Sequence, residues 1–146
     1  MVFMILPFIT TAYAMSDPLP QDKINGQTLR ISVFDIDVTP PPGSNMAYDP
    51  VTGTWDMGLR ARGVVLTGAG LPLVLCSFDW IGIANESQDE FKKAFAEAAG
   101  TIPERVAVHT VHQHDAPVCN FGAEKILKEA GIDPSRYEST FTRQAM

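Results

Sequence analysis

The sequence is short of charge, of cysteine and of long apolar runs, and each shortage removes a class of protein. Charged residues make up 19% of its 146 residues, and the balance is acidic, 17 Asp and Glu against 11 Lys and Arg, for a net charge of −6. A nucleic-acid partner needs clustered cations to displace the counterions of a phosphate backbone, so nucleic acid is set aside. No apolar run approaches the roughly 20 residues that a helix needs to cross a bilayer, which excludes a transmembrane segment. Cys76 and Cys119 are the only cysteines. They cannot build the disulfide framework of a small secreted domain, and whether they form a single bridge is for distance to decide. Also missing are a Gly-x-Ser-x-Gly elbow, a phosphate-cradling Gly-rich loop and a His-Glu-x-x-His helix, so the chemistries those motifs carry have no support.

What is present suits one domain or part of one, with 45% hydrophobic residues to build a core. Residues 1–14 read as a secretory signal: an apolar run from Val2 to Ile9, then Thr10-Thr11, then the small-x-small site Ala12-Tyr13-Ala14. No Lys or Arg precedes the run. Export is expected, to a secreted, periplasmic or extracellular location. Residues 15–28, with Pro18, Pro20 and Gly26, form an exposed lead-in.

From Leu29 to Val38 apolar and polar residues alternate, which predicts a strand, and Pro40-Pro41-Pro42 ends it. Ser44 to Gly58 is a long loop carrying Met46, Tyr48, Trp55 and Met57, with Tyr48 and Trp55 expected to cap the core. Leu59–Thr67 and Pro72–Trp80 make a hairpin around Gly68-Ala69-Gly70, and Leu73-Val74-Leu75 predicts a strand covered on both faces. Asn85 to Gly100 is the clearest helix. Asn85 is its N-cap, Gln88 completes a capping box, Phe91, Ala94, Phe95 and Ala98 share a face, and Gly100 is the left-handed terminator. Val106–Val111 is a fourth strand. A strand, a helix and a strand in succession make a crossover unit, which favours a layered α/β domain whose strands end at a functional edge. Gly122–Ala130 is a second helix, and Asp133-Pro134 opens a third. No cap or following strand closes that helix before Met146, so a truncated domain is expected.

All three histidines fall between positions 109 and 114, in His109-Thr110-Val111-His112-Gln113-His114-Asp115-Ala116-Pro117. Along an extended chain side chains alternate, so His112 and His114 share a face and His109 points away. Two imidazoles on one side can meet one ion. A catalytic zinc commonly takes three protein ligands and a water, so the pair supplies only part of a set. The rest must come from carboxylates, from Cys119 as an outer ligand, or from residues beyond Met146. Asp115 lies close enough to accept an imidazole N–H. Cys76, inside an apolar strand, reads as a buried, inert thiol. Asp35, Asp37 and Asp79 lie at strand ends, and Asp79 has the better claim to the site because its strand is expected to neighbour the fourth.

Four segments together resemble the amino-terminal domain of the neutral and alkaline non-lysosomal ceramidases. Ile36-Asp37-Val38-Thr39-Pro40-Pro41 looks like that family's early Val-Asp-Ile-Thr-Pro segment, and Leu59-Arg60-Ala61-Arg62 is similar to its Leu-Tyr-Ala-Arg strand. Ser77-Phe78-Asp79-Trp80-Ile81-Gly82 looks like its Ser-Leu-Asp-Leu-Leu-Gly turn, and Thr110-Val111-His112-Gln113-His114 stands where the family has Ala-Thr-His-Thr-His. The resemblance implies that His112 binds a catalytic zinc ion, that His114 polarises the substrate or stabilises the oxyanion, and that a zinc-activated water attacks the amide of an N-acyl sphingoid lipid. It places the remaining ligands, a histidine, a glutamate and a tyrosine, beyond the length available here. It implies a lipid amide substrate, met at a membrane surface. The fold expected is α/β, a layered sandwich with a mixed sheet, with residues 29–146 as the incomplete amino-terminal part of a larger catalytic domain. Two departures stand out. Asp115 replaces a small Ser, adding a negative charge beside the site, and Met46–Trp55 shows little of the family's glycine-rich loop. Two further readings are a non-catalytic exported domain of the same fold that binds a partner or glycan through the Met46–Trp55 loop, and a hydrolase of another amide or ester.

Overall fold

A computed structural model of the chain describes residues 28–137 and 139–146. The expected signal at 1–14 and the lead-in up to residue 27 lie outside the described residues. The alternation after Leu29 becomes strand β1, Arg30–Asp37, which runs antiparallel to β2, Arg60–Thr67, with Phe34 opposite Gly63. Only glycine fits at that place: a Cβ on Gly63 would lie 2.3 Å from the Phe34 ring and 2.4 Å from the Leu75 carbonyl oxygen. β2 turns at Gly68 and Gly70, both at positive φ, into β3, Leu73–Phe78, completing the expected hairpin.

Helix α1, Glu86–Ala99, then carries the chain over one face of the sheet to β5, Val106–Thr110, which runs parallel to β3 with Val74 opposite Val106. A parallel pair requires such a crossover. The strand order is β1-β2-β3-β5, so the sheet is mixed, as expected. Two-residue strands β4, Gly82–Ile83, and β6, Val118–Cys119, form a small parallel pair of their own.

α1 ends as its sequence requires, with Gly100 at φ 65 and its N–H on the Ala96 and Glu97 carbonyls. Its start differs from expectation. Asn85 sits at φ 53 and makes no side-chain cap bond, being outside the extended conformation from which a cap reaches the first turn. Gln88 closes no capping box. Its Nε2 instead donates to the Val108 carbonyl at 2.7 Å, tying the helix to β5. The inward face is also shifted: Ser87, Phe91 and Ala96 are buried, whereas Ala98 is exposed.

Under α1, Phe78, Trp80 and Phe91 are completely buried. Phe91 meets the other two rings edge-on at 5.3 and 5.9 Å. Such contacts add about 0.5–1.5 kcal/mol each beyond the area they bury. The Trp80 indole N–H is satisfied by the Val38 carbonyl at 3.2 Å.

The opposite face of the sheet is open among the described residues. Val74 is buried against α1, but Leu75 is 42%, Ile31 63% and Val33 79% exposed. Among the described residues β3 is therefore covered on one face, where the expectation was two. Leu73 and Leu75 point away from α1, and no described element crosses that side.

Helix α2, Phe121–Glu129, is capped by Asn120, whose Oδ1 accepts from the Ala123 N–H at 3.0 Å. The expected helix from Asp133-Pro134 is replaced by a short 3₁₀ turn, Ser135–Tyr137, and α3 spans only Thr140–Gln144. The Asp133 carboxylate accepts from both the N–H and the hydroxyl of Ser135 at 2.9 Å, a local turn that leads into the 3₁₀ segment. α3 is then held to α2 by Glu124, whose nearly buried carboxylate accepts from Ser139 Oγ, pairs with Lys128 at 2.5 Å and faces Arg143 at 3.7 Å. Burial pushes the Glu124 carboxyl up, but the hydrogen bonds from Lys128 and Ser139, with the Lys128 and Arg143 charges, hold it below its usual value.

Candidate active site at the end of strand β5

β5 leaves the sheet at Thr110, with Val111 N–H still on the Phe78 carbonyl at 3.0 Å and His112 N–H on the Trp80 carbonyl at 3.1 Å. At His112 the chain turns into the left-handed region, φ 61. The two histidines are therefore not on an extended strand, and alternation along a strand does not bring them together. The turn does. Their ring centroids lie 5.3 Å apart with planes at 80°. His109 stays on β5 opposite Ser77 and is exposed.

Gln113 closes the turn. Its Nε2 donates to the Asp79 carbonyl at 2.8 Å and the Asp115 carbonyl at 3.0 Å, and its Oε1 accepts the Asp115 N–H at 2.9 Å. Two backbone bonds then anchor Ala116 and Pro117, from Ala47 N–H to the Ala116 carbonyl at 3.0 Å and from Ile81 N–H to the Pro117 carbonyl at 3.2 Å. The first joins the histidine turn to the Met46–Trp55 loop.

His112 Nδ1 lies 2.7 Å from the Ile81 carbonyl oxygen. A carbonyl only accepts, so Nδ1 carries the proton and the neutral ring keeps its lone pair on Nε2. This is the arrangement that orients an imidazole as a metal ligand. The ring spacing also suits an ion, since two imidazoles on one tetrahedral zinc have centroids about 5 Å apart. The donor set is nonetheless short. Among the described residues no group of three or more His, Cys, Asp or Glu could hold a metal. His112 thus presents one free ring nitrogen, and the described residues gather no complete set of metal ligands around it.

Cys119 is not part of that set. It is buried at 1% exposure, with Ser87 and Thr142 hydrogen-bonded to its thiol, and burial raises its pKa above the usual thiol value. Cys76 is pushed up to about 12 by burial, which agrees with an inert thiol. Both cysteines are free, so no bridge joins them.

The Asp79 main chain reaches the site through Gln113, while its carboxylate accepts the Arg60 N–H at 3.0 Å and pairs with Arg62 at 3.5 Å. Asp35 and Asp37 belong to the sheet. Arg60 at 2.8 Å holds the Asp35 carboxyl below its usual range, and hydrogen bonds from Thr39 do the same for Asp37.

The ring of His114 rests against Tyr48, centroids 5.1 Å apart, and Arg136 lies 5.8 Å over the same tyrosine. Tyr48 is 61% exposed, so it lines the site instead of capping the core. Trp55 does cap it, packing on the core with its Nε1 donating to the Pro40 carbonyl at 3.0 Å. Between this loop and His114 lies a cleft of about 200 Å³, adjoined by a hollow of about 600 Å³ that reaches Met57, Arg62 and Asp79. Sequence reasoning missed Gln113 and the Ile81 carbonyl. The only trace of either was an amide side chain between two histidines.

No family model and no curated protein matches the chain. Among solved structures it is similar to a ceramidase complexed with C2, at 20% identity and a TM-score of 0.52, over 80% of this chain and 20% of that one. The chain spans about a fifth of the length of that structure. The likeness is one of fold: the mixed sheet with its crossover helix is a ceramidase-like α/β arrangement.

Proposed function

We propose that this chain carries part of the active site of an exported zinc-dependent hydrolase that cleaves the amide of an N-acyl sphingoid lipid or a related amide. The observation that carries the reading is the 2.7 Å contact of His112 Nδ1 with the Ile81 carbonyl. A backbone carbonyl fixes the tautomer, and Nε2 is left to a metal. Zinc, when bound, acts as a Lewis acid that polarises a carbonyl and lowers the pKa of water. Among the described residues His114 has no such carbonyl partner. It faces the cleft beside Tyr48, where its ring N–H can donate to the amide oxygen as charge develops there. Water adds to the carbonyl carbon, the C–N bond breaks, and the products are a fatty acid and an amine that takes up the proton. The ceramidase-like fold supports this class, and Val2–Ala14 supports export. The Met46–Trp55 loop would meet a lipid substrate at a membrane surface. Among the described residues no helix is long and apolar enough to cross a membrane.

The test is metal content together with turnover of N-acyl sphingosine. Zinc retained after dialysis, and lost in His112→Ala along with hydrolysis, is the expected result. Hydrolysis that survives without zinc, or zinc uptake unchanged in His112→Ala, refutes the reading. The incomplete ligand set favours one second reading, an exported binding domain that uses the Met46–Trp55 loop. A protein that takes up no zinc, hydrolyses nothing and is indifferent to His112→Ala is that domain.

A further inference from the structure

The geometry points to Tyr48 as the positioning residue for His114, with Arg136 holding Tyr48 in turn. This rests on the hydrolase reading, in which a ring N–H of His114 donates to the amide oxygen. A donor of that kind helps only if it is already aimed where charge will develop. His112 has the Ile81 carbonyl, 2.7 Å from its Nδ1, to fix its ring. His114 is exposed, and among the described residues only rings meet its own: His112 at 5.3 Å between centroids and Tyr48 at 5.1 Å. An exposed imidazole otherwise turns among its staggered χ1 wells and a broad χ2, so packing against those rings is what selects one setting.

Tyr48 is built to make that selection. Its neighbours Met46 and Ala47 are buried, and the Ala47 N–H donates at 3.0 Å to the carbonyl of Ala116 in the histidine turn. The loop also closes on itself, with the Gly43 N–H on the Val51 carbonyl at 2.9 Å and the Val51 N–H on the Ser44 carbonyl at 3.0 Å. The tyrosine backbone is thereby tied to the turn that carries His114. Arg136 lies 5.8 Å over the Tyr48 ring, within reach of a cation–π contact. It comes from the 3₁₀ turn Ser135–Tyr137, where the Tyr137 N–H donates to the Pro134 carbonyl at 2.7 Å. His114 and Arg136 border two different hollows that share Tyr48, so the tyrosine stands between them. Among the described residues its hydroxyl makes no hydrogen bond, which leaves the ring as the part that acts.

Tyr48→Ala and Tyr48→Phe separate ring from hydroxyl. A contact between rings is worth about two- to tenfold in the population of one setting, so kcat for N-hexanoylsphingosine on the zinc-loaded protein should fall by about that factor in Tyr48→Ala. KM should stay within about twofold, because His114 acts as charge develops in the transition state. Tyr48→Phe should restore kcat. Arg136→Ala should lower kcat less, and should add nothing in the Tyr48→Ala background, since it acts through that ring. Orientation is read without turnover in the metal-free protein, from the NOE between the His112 and His114 rings. That NOE should weaken in Tyr48→Ala and persist in Tyr48→Phe. A Phe variant as slow as the Ala variant assigns the effect to the hydroxyl and overturns the proposal. So does a KM that rises at constant kcat, the mark of a substrate wall, or an NOE unchanged in Tyr48→Ala. A wild type that hydrolyses nothing, with the NOE weakened as expected, sinks the hydrolase reading and leaves the positioning of the ring supported. Hydrolysis with kcat unmoved by Tyr48→Ala sinks this proposal alone.

Discussion

Replacing Gln113 by Ala removes a side chain that makes three hydrogen bonds within the histidine turn, two donated by Nε2 and one accepted by Oε1. Neutral bonds of this kind contribute about 1 kcal/mol each. The Asp79 and Asp115 carbonyls lie near solvent and can bond to water once the amide is gone, so roughly half of that sum is recovered and about 1.5–2 kcal/mol is lost. The loss falls on the turn, since all three bonds are made to the main chain of Asp79 and Asp115. Amide hydrogen exchange at Asp115 reads it directly, because that N–H is held by Gln113 Oε1 at 2.9 Å. A local opening free energy lower by about 1.5–2 kcal/mol speeds exchange about 10- to 30-fold, roughly one decade per 1.4 kcal/mol. Gln113→Glu separates the bonds. It keeps the acceptor for the Asp115 N–H but loses both donated bonds and sets oxygen against oxygen, so exchange should lie between wild type and the Ala variant. Asp115 exchange within about twofold of wild type in Gln113→Ala would refute the view that this side chain closes the turn. So would a Glu variant as fast as the Ala variant.

Two further outcomes concern the same region and its far support. His112 adopts φ 61, a conformation that costs a non-glycine residue about 1 kcal/mol or more. Both His112→Gly and His112→Ala lose the ring and its bond to Ile81, but only glycine is relieved of the backbone strain. The Gly variant should be the more stable of the two by about 1 kcal/mol in urea unfolding, and equal midpoints would argue against a left-handed His112. Glu124 has its carboxyl held below the usual value near 4.5. Its contribution is therefore complete above that value and disappears as the pH falls through the lowered one. Glu124→Gln should cost about 1–2 kcal/mol at pH 7, discounted because Lys128 and Arg143 are half exposed. Unfolding measured at about pH 3 should show the wild type and the variant converging, and a gap that widens in acid contradicts the assignment.

The lower levels of the structure were legible because they depend on neighbours in the chain. Alternation after Leu29 located β1, two glycines at positive φ located the β2–β3 hairpin, and Gly100 ended α1 where its lack of a Cβ allows a left-handed residue. The crossover from β3 through α1 to β5 came from a strand, a helix and a strand in sequence, and it dictated a parallel pair and hence a mixed sheet. Expectations that also rested on local motifs failed where another partner competed for the same atoms. Gln88 left its capping box for the Val108 carbonyl, whereas Asp133 does bond the Ser135 N–H but opens only the 3₁₀ turn Ser135–Tyr137.

At the site the division is the same. Sequence alone determined that two imidazoles stand at the end of an apolar strand, separated by one residue and followed by Asp115. It carried the reading that His109 is apart from them, although by the wrong argument, because the strand ends at Thr110 and alternation no longer applies at His112. Tertiary structure decided which nitrogen of His112 is free, since the Ile81 carbonyl lies 31 residues away in sequence. It decided that Gln113 closes the turn through Asp79, 34 residues away, and that Tyr48 turns outward beside His114 while Trp55 turns inward. It also buried Cys119, which sequence spacing had offered as an outer ligand. Periodicity reports which way a side chain leaves the backbone. What that side chain then meets is set by segments that the fold alone brings within hydrogen-bond reach.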